Sequence, residues 1–249
     1  MEMWRWALTQ QSRYRLEDVF PLMRYVNLAR REDRRTGVEC QFAKQGMAVE
    51  RMPAVNGQWV RNLRGHLGPG QYGCSLSHRM ILRGAEQQKA GAVLIFEDDV
   101  VLHPSFRRLA EALALPEDWE VFYFGCQHRL EPVPVSPGVV RVTKALSTHA
   151  FTVRGSSLRL VREALDMADA EGKRRECDSL LADLHARIPV YAAFPNLAWQ
   201  SANHSDIRNQ VIRSYRDEDG EQSWNRSVLE NPRRQMAEMI RPFTDAPLL

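Results

Sequence analysis

The chain has 249 residues, of which 44% are apolar and 26% charged, with 14 Gly and 13 Pro. That composition excludes a disordered, collagen-like or repeat-array protein and supplies enough apolar residues for a substantial core. A formal net charge of +3 does not call for nucleic acid as a partner; it suits an anionic small molecule or an anionic membrane surface.

Residues 1–21 form an aromatic and basic leader with charges throughout and no apolar secretion core, so a cytoplasmic location is expected. "PLMRYVNL" (21–28) reads as a buried strand, and "ARREDRRTGVECQFAKQG" (29–46) as a helix stopped by Gly46. "MAVERMPAV" (47–55) reads as a second strand, interrupted by Pro53. Residues 56–73, with Gly and Pro clustered at their end, read as a loop. "CSLSHRMILRGAEQQK" (74–89) puts Leu76, Met80 and Ile81 on one helical face. The strand "AVLIF" (92–96) then runs straight into Glu97, Asp98 and Asp99.

Pro104 breaks the chain, and Ser105 is placed to cap "FRRLAEALAL" with Phe106, Leu109, Ala110 and Leu113 inward. "WEVFYFG" (119–125) is a strand, "EPVPVSPG" (131–138) with its three prolines a loop, and "ALSTHAFTV" (145–153) another strand. "SSLRLVREALDMADA" (156–170) is a helix with Leu158, Val161 and Leu165 on one face. "CDSLLADLHAR" (177–187) is a further helix, and "IPVYAAF" (188–194) a strand closed by Pro195. The tail, 208–249, is polar and basic, with a helix expected at 232–240 and a peripheral membrane contact as its reading. No stretch approaches 18 apolar residues, so no membrane-spanning helix is expected.

Alternating strands and helices predict an α/β fold with a mainly parallel sheet, and such sheets bind ligands at the carboxyl ends of their strands. Three consecutive carboxylates at such an end repel one another unless a cation or a proton intervenes. They are therefore candidates for a divalent metal, with hard oxygen ligands suiting Mn²⁺ or Mg²⁺. Arg30, Arg31 and Arg34 lie just past the first strand, where guanidinium forks suit phosphate. The cysteines at 40, 74, 126 and 177 form no C-x-x-C pair and read as reduced thiols rather than a zinc site.

Several stretches, in consistent order between residues 22 and 207, resemble glycosyltransferase family 25. The family includes bacterial lipooligosaccharide β-1,4-galactosyltransferases and the procollagen galactosyltransferases. "YVNLARREDR" (25–34) resembles its opening strand and N-L-x-R-R-x-D-R motif. "VERMPAVNG" (49–57) resembles its second strand and A-V-D-G turn, with Asn56 where Asp is usual. "GCSLSH" (73–78) resembles its G-C-x-x-S-H helix entry, and "VLIFEDDV" (93–100) its acidic motif. "THAFTV" (148–153), "CDSLL" (177–181) and "HSDI" (204–207) match weaker elements.

The resemblance implies one GT-A-like domain over 22–207, with a Rossmann-like nucleotide half and a variable acceptor half. It implies inverting transfer from a nucleotide-sugar donor, UDP-galactose foremost, to a hydroxyl of a glycan or lipid-linked glycan. Asp99 would then ligate the metal, Glu97 the ribose or metal-bound water, and Asp98 would support either. Asn27 would read the uracil edge; the three arginines would hold phosphate. Ser77 and His78 join the donor site, with His78 orienting an acid of the 97–99 group, and His204 would be a further metal ligand. The base that deprotonates the acceptor would be Asp178, ahead of Asp206 and Glu176.

Overall fold

The computed structural model describes residues 9–60, 68–170, 175–201, 203–205 and 210–212. The sheet follows from the apolar runs. Strand β1 (Leu22–Asn27) is followed by helix α2 (Glu32–Lys44), and β2 (Glu50–Pro53) by helix α3 (Pro69–Gln87); a short helix α1 (Leu16–Val19) precedes them all. Next come β3 (Ala92–Glu97), β4 (Val100–Leu102), helix α4 (Phe106–Ala112), β5 (Val121–Leu130), β6 (Val133–Ser136), β7 (Val139–Arg141) and β8 (Lys144–Arg154). Helices α5 (Leu158–Ala170) and α6 (Cys177–Ala182), then β9 (Val190–Ala193), β10 (Ala198–Gln200), β11 (Asn203–Ser205) and β12 (Gln210–Ile212), complete the described elements.

Eight strands form one sheet in the order β2-β1-β3-β8-β5-β9-β7-β6. β1 runs parallel to β2 and β3, β8 is antiparallel to both β3 and β5, and β9 is parallel to β5. At the far edge β7 is antiparallel to β9 and to β6. Six of the eight therefore point one way, and the expected α/β architecture is the one observed.

Burial on both faces explains why β3 is an unbroken apolar run. Leu94 and Phe96 enter one core with Tyr25, Phe106 and Phe124; Val93 and Ile95 enter the other with Leu82, Phe151 and Val161. The end of the leader belongs to the first of these cores. Leu16 and Phe20 are fully buried, and the Phe20 ring meets Trp119 and Phe124 edge to face.

Three local expectations change. Helix α3 begins at Pro69, inside the stretch read as a loop, because Pro fits a helix's first turn and Gln71 caps it by accepting the Gly68 N–H at 2.8 Å. The proline-rich stretch 131–138 contains strand β6, with Pro134 opposite Val140. As the outermost strand of the sheet it tolerates a missing N–H. The helix expected over 177–187 stops at Ala182 and continues as tight turns, Leu184 N–H bonding to Leu181 O and Arg187 N–H to Leu184 O. The helix expected at 232–240 lies outside the described residues.

Candidate active site

The acidic run occupies the place that the topology reserves for ligands. β3 ends at Glu97, Asp98 and Asp99 make a tight turn, and β4 leaves the sheet to pair antiparallel with β10. That pairing sets Gln200 opposite Val100, beside Asp99. β1 lies parallel along β3, with Val26 level with Glu97, so Asn27 and the following arginines arrive at the same sheet end. Antiparallel β8 brings Thr148 up from the other side.

These elements surround a cleft of about 290 Å³. Arg30 and Arg34 line it from one side, Ser77, His78 and Cys74 of α3 from another, and Glu97, Asp98, Asp99 and Gln200 at its base. The turn at Asn56 and Gly57 closes a further wall. Its fit is tight: a Cβ on Gly57 would sit 1.6 Å from the Pro69 carbonyl oxygen, and one on Gly73 would sit 2.4 Å from that of Val55. Asn56 performs its turn role without a charge, its Oδ1 accepting the Gln58 N–H at 3.1 Å.

Each carboxylate has a different environment. Asp98 accepts from Asn27 Nδ2 at 2.7 Å and from Arg34 Nη1 at 2.9 Å; burial nevertheless holds it above its ordinary value. Asp99 Oδ2 accepts from Gln200 Nε2 at 3.0 Å and from Arg34 at 3.4 Å, while its buried Oδ1 has no partner among the described residues. Burial, then the charge of Glu97, pushes Asp99 up to about 7. Burial acts to raise Glu97 too, but donors outweigh it: Thr148 Oγ1 at 2.6 Å and His78 Nε2 at 3.3 Å meet the same oxygen and hold the acid below its ordinary value.

A buried, unpartnered carboxylate oxygen next to two further acids fits a divalent cation, which would relieve the repulsion that raises Asp98 and Asp99. A second donor set lies beside it: Cys74, His78 and Glu97 each offer one ligand atom, all within 4.8 Å of one another.

Most residues proposed from sequence converge here, but not all as proposed. Asn27 is fully engaged: its amide donates to Asp98 and to Arg31 O at 3.0 Å, and accepts Arg51 Nε at 2.9 Å, so it positions Asp98. Ser77 ties α3 to the second strand's turn, accepting Val55 N–H at 2.9 Å and donating to Gly73 O. Arg31 turns to Asp33 instead of the cleft, and this bond holds Asp33 at about 2. Asp178 does not line the cleft. Its Oδ2 accepts the Ser147 N–H at 3.2 Å, and burial raises it. Glu176 accepts a hydrogen bond from Gln71. Asp206 and the side chain of His204 lie outside the described residues. Gln200, Thr148 and Arg51 were missed; only strand pairing puts the first two beside the acids and Arg51 beside Asn27, and no local pattern announces them.

The sequence matches the family described as Glycosyltransferase family 25 (LPS biosynthesis protein) over residues 23–147. A Glycosyltransferase 25 family member of Anopheles gambiae is 34% identical over 123 residues, covering 40% of this chain and 21% of that protein. Procollagen galactosyltransferase 2 of Mus musculus is 28% identical over 191 residues, covering 66% of this chain and 30% of the relative. A human relative, Inactive glycosyltransferase 25 family member 3, is 29% identical over 163 residues, covering 54% and 27% respectively. The chain thus spans about a fifth to a third of the length of these curated relatives. With the match running through the first strand, the acidic turn and the start of β8, this chain belongs to glycosyltransferase family 25.

Proposed function

We propose that this protein is a metal-dependent, inverting glycosyltransferase. It moves a sugar, galactose from UDP-galactose foremost, to a hydroxyl of a glycan in lipopolysaccharide or related surface-glycan synthesis. Residues 22–207 are its transferase domain. The observation that carries the reading is Asp99 Oδ1: buried, without a hydrogen-bond donor, and at the base of a cleft flanked by arginines. Asp99 and Asp98 would hold Mn²⁺ or Mg²⁺, which when bound neutralises charge growing on the diphosphate leaving group.

The protein's own residues do the rest. Gln200 and Asn27 fix the two aspartates, Arg30 and Arg34 supply positive charge for the phosphates, and Thr148 and His78 keep Glu97 ionised as an acceptor for a donor hydroxyl. Asp178 stays the proposed base although it does not line the cleft; burial raises its carboxyl above the ordinary value. No described helix is long and apolar enough to cross a membrane, and the basic tail is proposed to make a salt-sensitive peripheral contact with the inner membrane face.

The test is turnover across a panel of UDP-sugars, with Mn²⁺, with Mg²⁺ and with EDTA. Turnover that needs the metal and favours UDP-galactose is expected. Full activity in EDTA would remove the metal, and preference for another UDP-sugar would replace galactose. Tight UDP-sugar binding without turnover on any acceptor would favour a non-catalytic member, a role consistent with the relative named inactive.

A further inference from the structure

We propose that Cys74, His78 and Glu97 form a site for a thiophilic divalent cation of the zinc class, distinct from the aspartate pair. Cys74 and His78 stand four residues apart on α3, so both face the same way, toward the end of β3. Their ligand atoms and a Glu97 oxygen all lie within 4.8 Å of one another. Four-coordinate zinc, with bonds of about 2.0–2.3 Å, needs ligand atoms roughly 3.3–3.8 Å apart, so a modest contraction completes three ligands.

A second observation points to a ligand. His78 is fully buried, and its Nδ1 has no hydrogen-bond partner among the described residues. With Nε2 held only by its 3.3 Å contact to Glu97 and Nδ1 by no described hydrogen-bond partner, little hydrogen bonding opposes turning the ring to present a nitrogen to a cation. Cys74 lines the cleft, so a cation can reach the set from solvent and leave an open fourth position toward it.

The chemistry separates this site from the proposed donor metal. Mn²⁺ and Mg²⁺ favour carboxylate oxygen, whereas a thiolate and an imidazole select zinc-like ions. On binding, the Cys74 thiol gives up its proton to solvent and its sulfur bonds the cation. Glu97 changes partners, from His78 Nε2 to the ion. This site shares Glu97 and His78 with the proposed donor cleft, but its ligand geometry does not depend on sugar transfer.

The experiment uses the untagged full chain carrying Cys40→Ser, which removes an exposed competing thiol. Zn²⁺ affinity is measured by competition with a chromophoric chelator, and Co²⁺ serves as the spectroscopic probe. One equivalent of metal and a thiolate-to-cobalt charge-transfer band are expected. Cys74→Ser should abolish the band, and both it and His78→Gln should weaken Zn²⁺ binding by about 10-fold or more. Asp99→Asn should keep the band and cost far less Zn²⁺ affinity than Cys74→Ser, and excess Mg²⁺ should not displace the zinc. Absence of the band, its persistence in Cys74→Ser, or a loss of Zn²⁺ affinity in Asp99→Asn equal to that in Cys74→Ser would each overturn the proposal. If Cys74→Ser does not fold, His78→Gln decides by affinity alone.

Discussion

Replacing Asp99 by Asn should strengthen the metal-free fold while disabling the proposed transfer. Asparagine keeps the shape and can still accept from Gln200, but carries no charge into the buried turn. The carboxyl's rise from 3.8 to about 7 has a definite sign. Below pH 3.8 the group is protonated in both folded and unfolded chains and contributes nothing. Between 3.8 and 7 the unfolded chain ionises while the folded one holds its proton, so stability falls as pH rises. Above 7 the loss is complete, on the order of 4 kcal/mol at about 1.4 kcal/mol per tenfold step. Chemical denaturation in EDTA should therefore show the variant gaining roughly 2–3 kcal/mol on the wild type between pH 5 and pH 8. UDP-sugar turnover with saturating Mn²⁺ should meanwhile drop on the order of 10²-fold or more. An Asp99→Asn protein with the wild-type pH profile and retained turnover would refute the reasoning, because Asp99 would then be an ordinary turn residue.

Further outcomes follow from other parts of the structure. Asp178→Asn should fold normally and bind UDP while transfer falls by about 10²–10⁴-fold; unchanged transfer would move the base elsewhere. Gly57→Ala forces a Cβ against the Pro69 carbonyl, so a loss of roughly 1–3 kcal/mol in urea unfolding and weakened UDP binding are expected. His185 is held neutral: it accepts the Ala145 N–H on Nδ1 at 3.3 Å, which assigns its proton to Nε2 and makes it a donor to Tyr123 Oη at 3.2 Å. Burial lowers it from 6.5 to about 4, so stability present above pH 6.5 is lost as pH falls toward 4, by up to roughly 3 kcal/mol. His185→Gln should flatten that part of the wild-type acid limb; an unchanged slope would show that the ring is protonated in the folded protein.

The sequence by itself determined six of the main sheet's eight strands, β1, β2, β3, β5, β8 and β9, and the place of the acidic turn. An apolar run such as 92–96 has one stable use in an α/β protein, a strand covered on both faces, and whatever follows its carboxyl end lies at the functional edge. Arg30 and Arg34 after β1 reached the same cleft for the same reason, and the G-C-x-x-S-H stretch lines it from α3. Side-chain duty was less legible. Arg31 and Arg34 look alike in sequence, yet one pairs with Asp33 and the other bridges Asp98 and Asp99, because Arg31 stands at the N-cap of α2 in a non-helical conformation while Arg34 lies inside the helix. Gln200 gives no local signal, and it becomes a partner of Asp99, 101 residues earlier in the chain, only when β10 pairs with β4. Cys74 reads in sequence as a reduced thiol, and His78 is joined to the acids only through the family resemblance, until β3 sets Glu97 against both. Whether a carboxylate is ionised, a nitrogen partnered or a glycine indispensable depends on neighbours distant in the chain, and packing alone brings those neighbours within the few ångströms where hydrogen bonds and repulsion act.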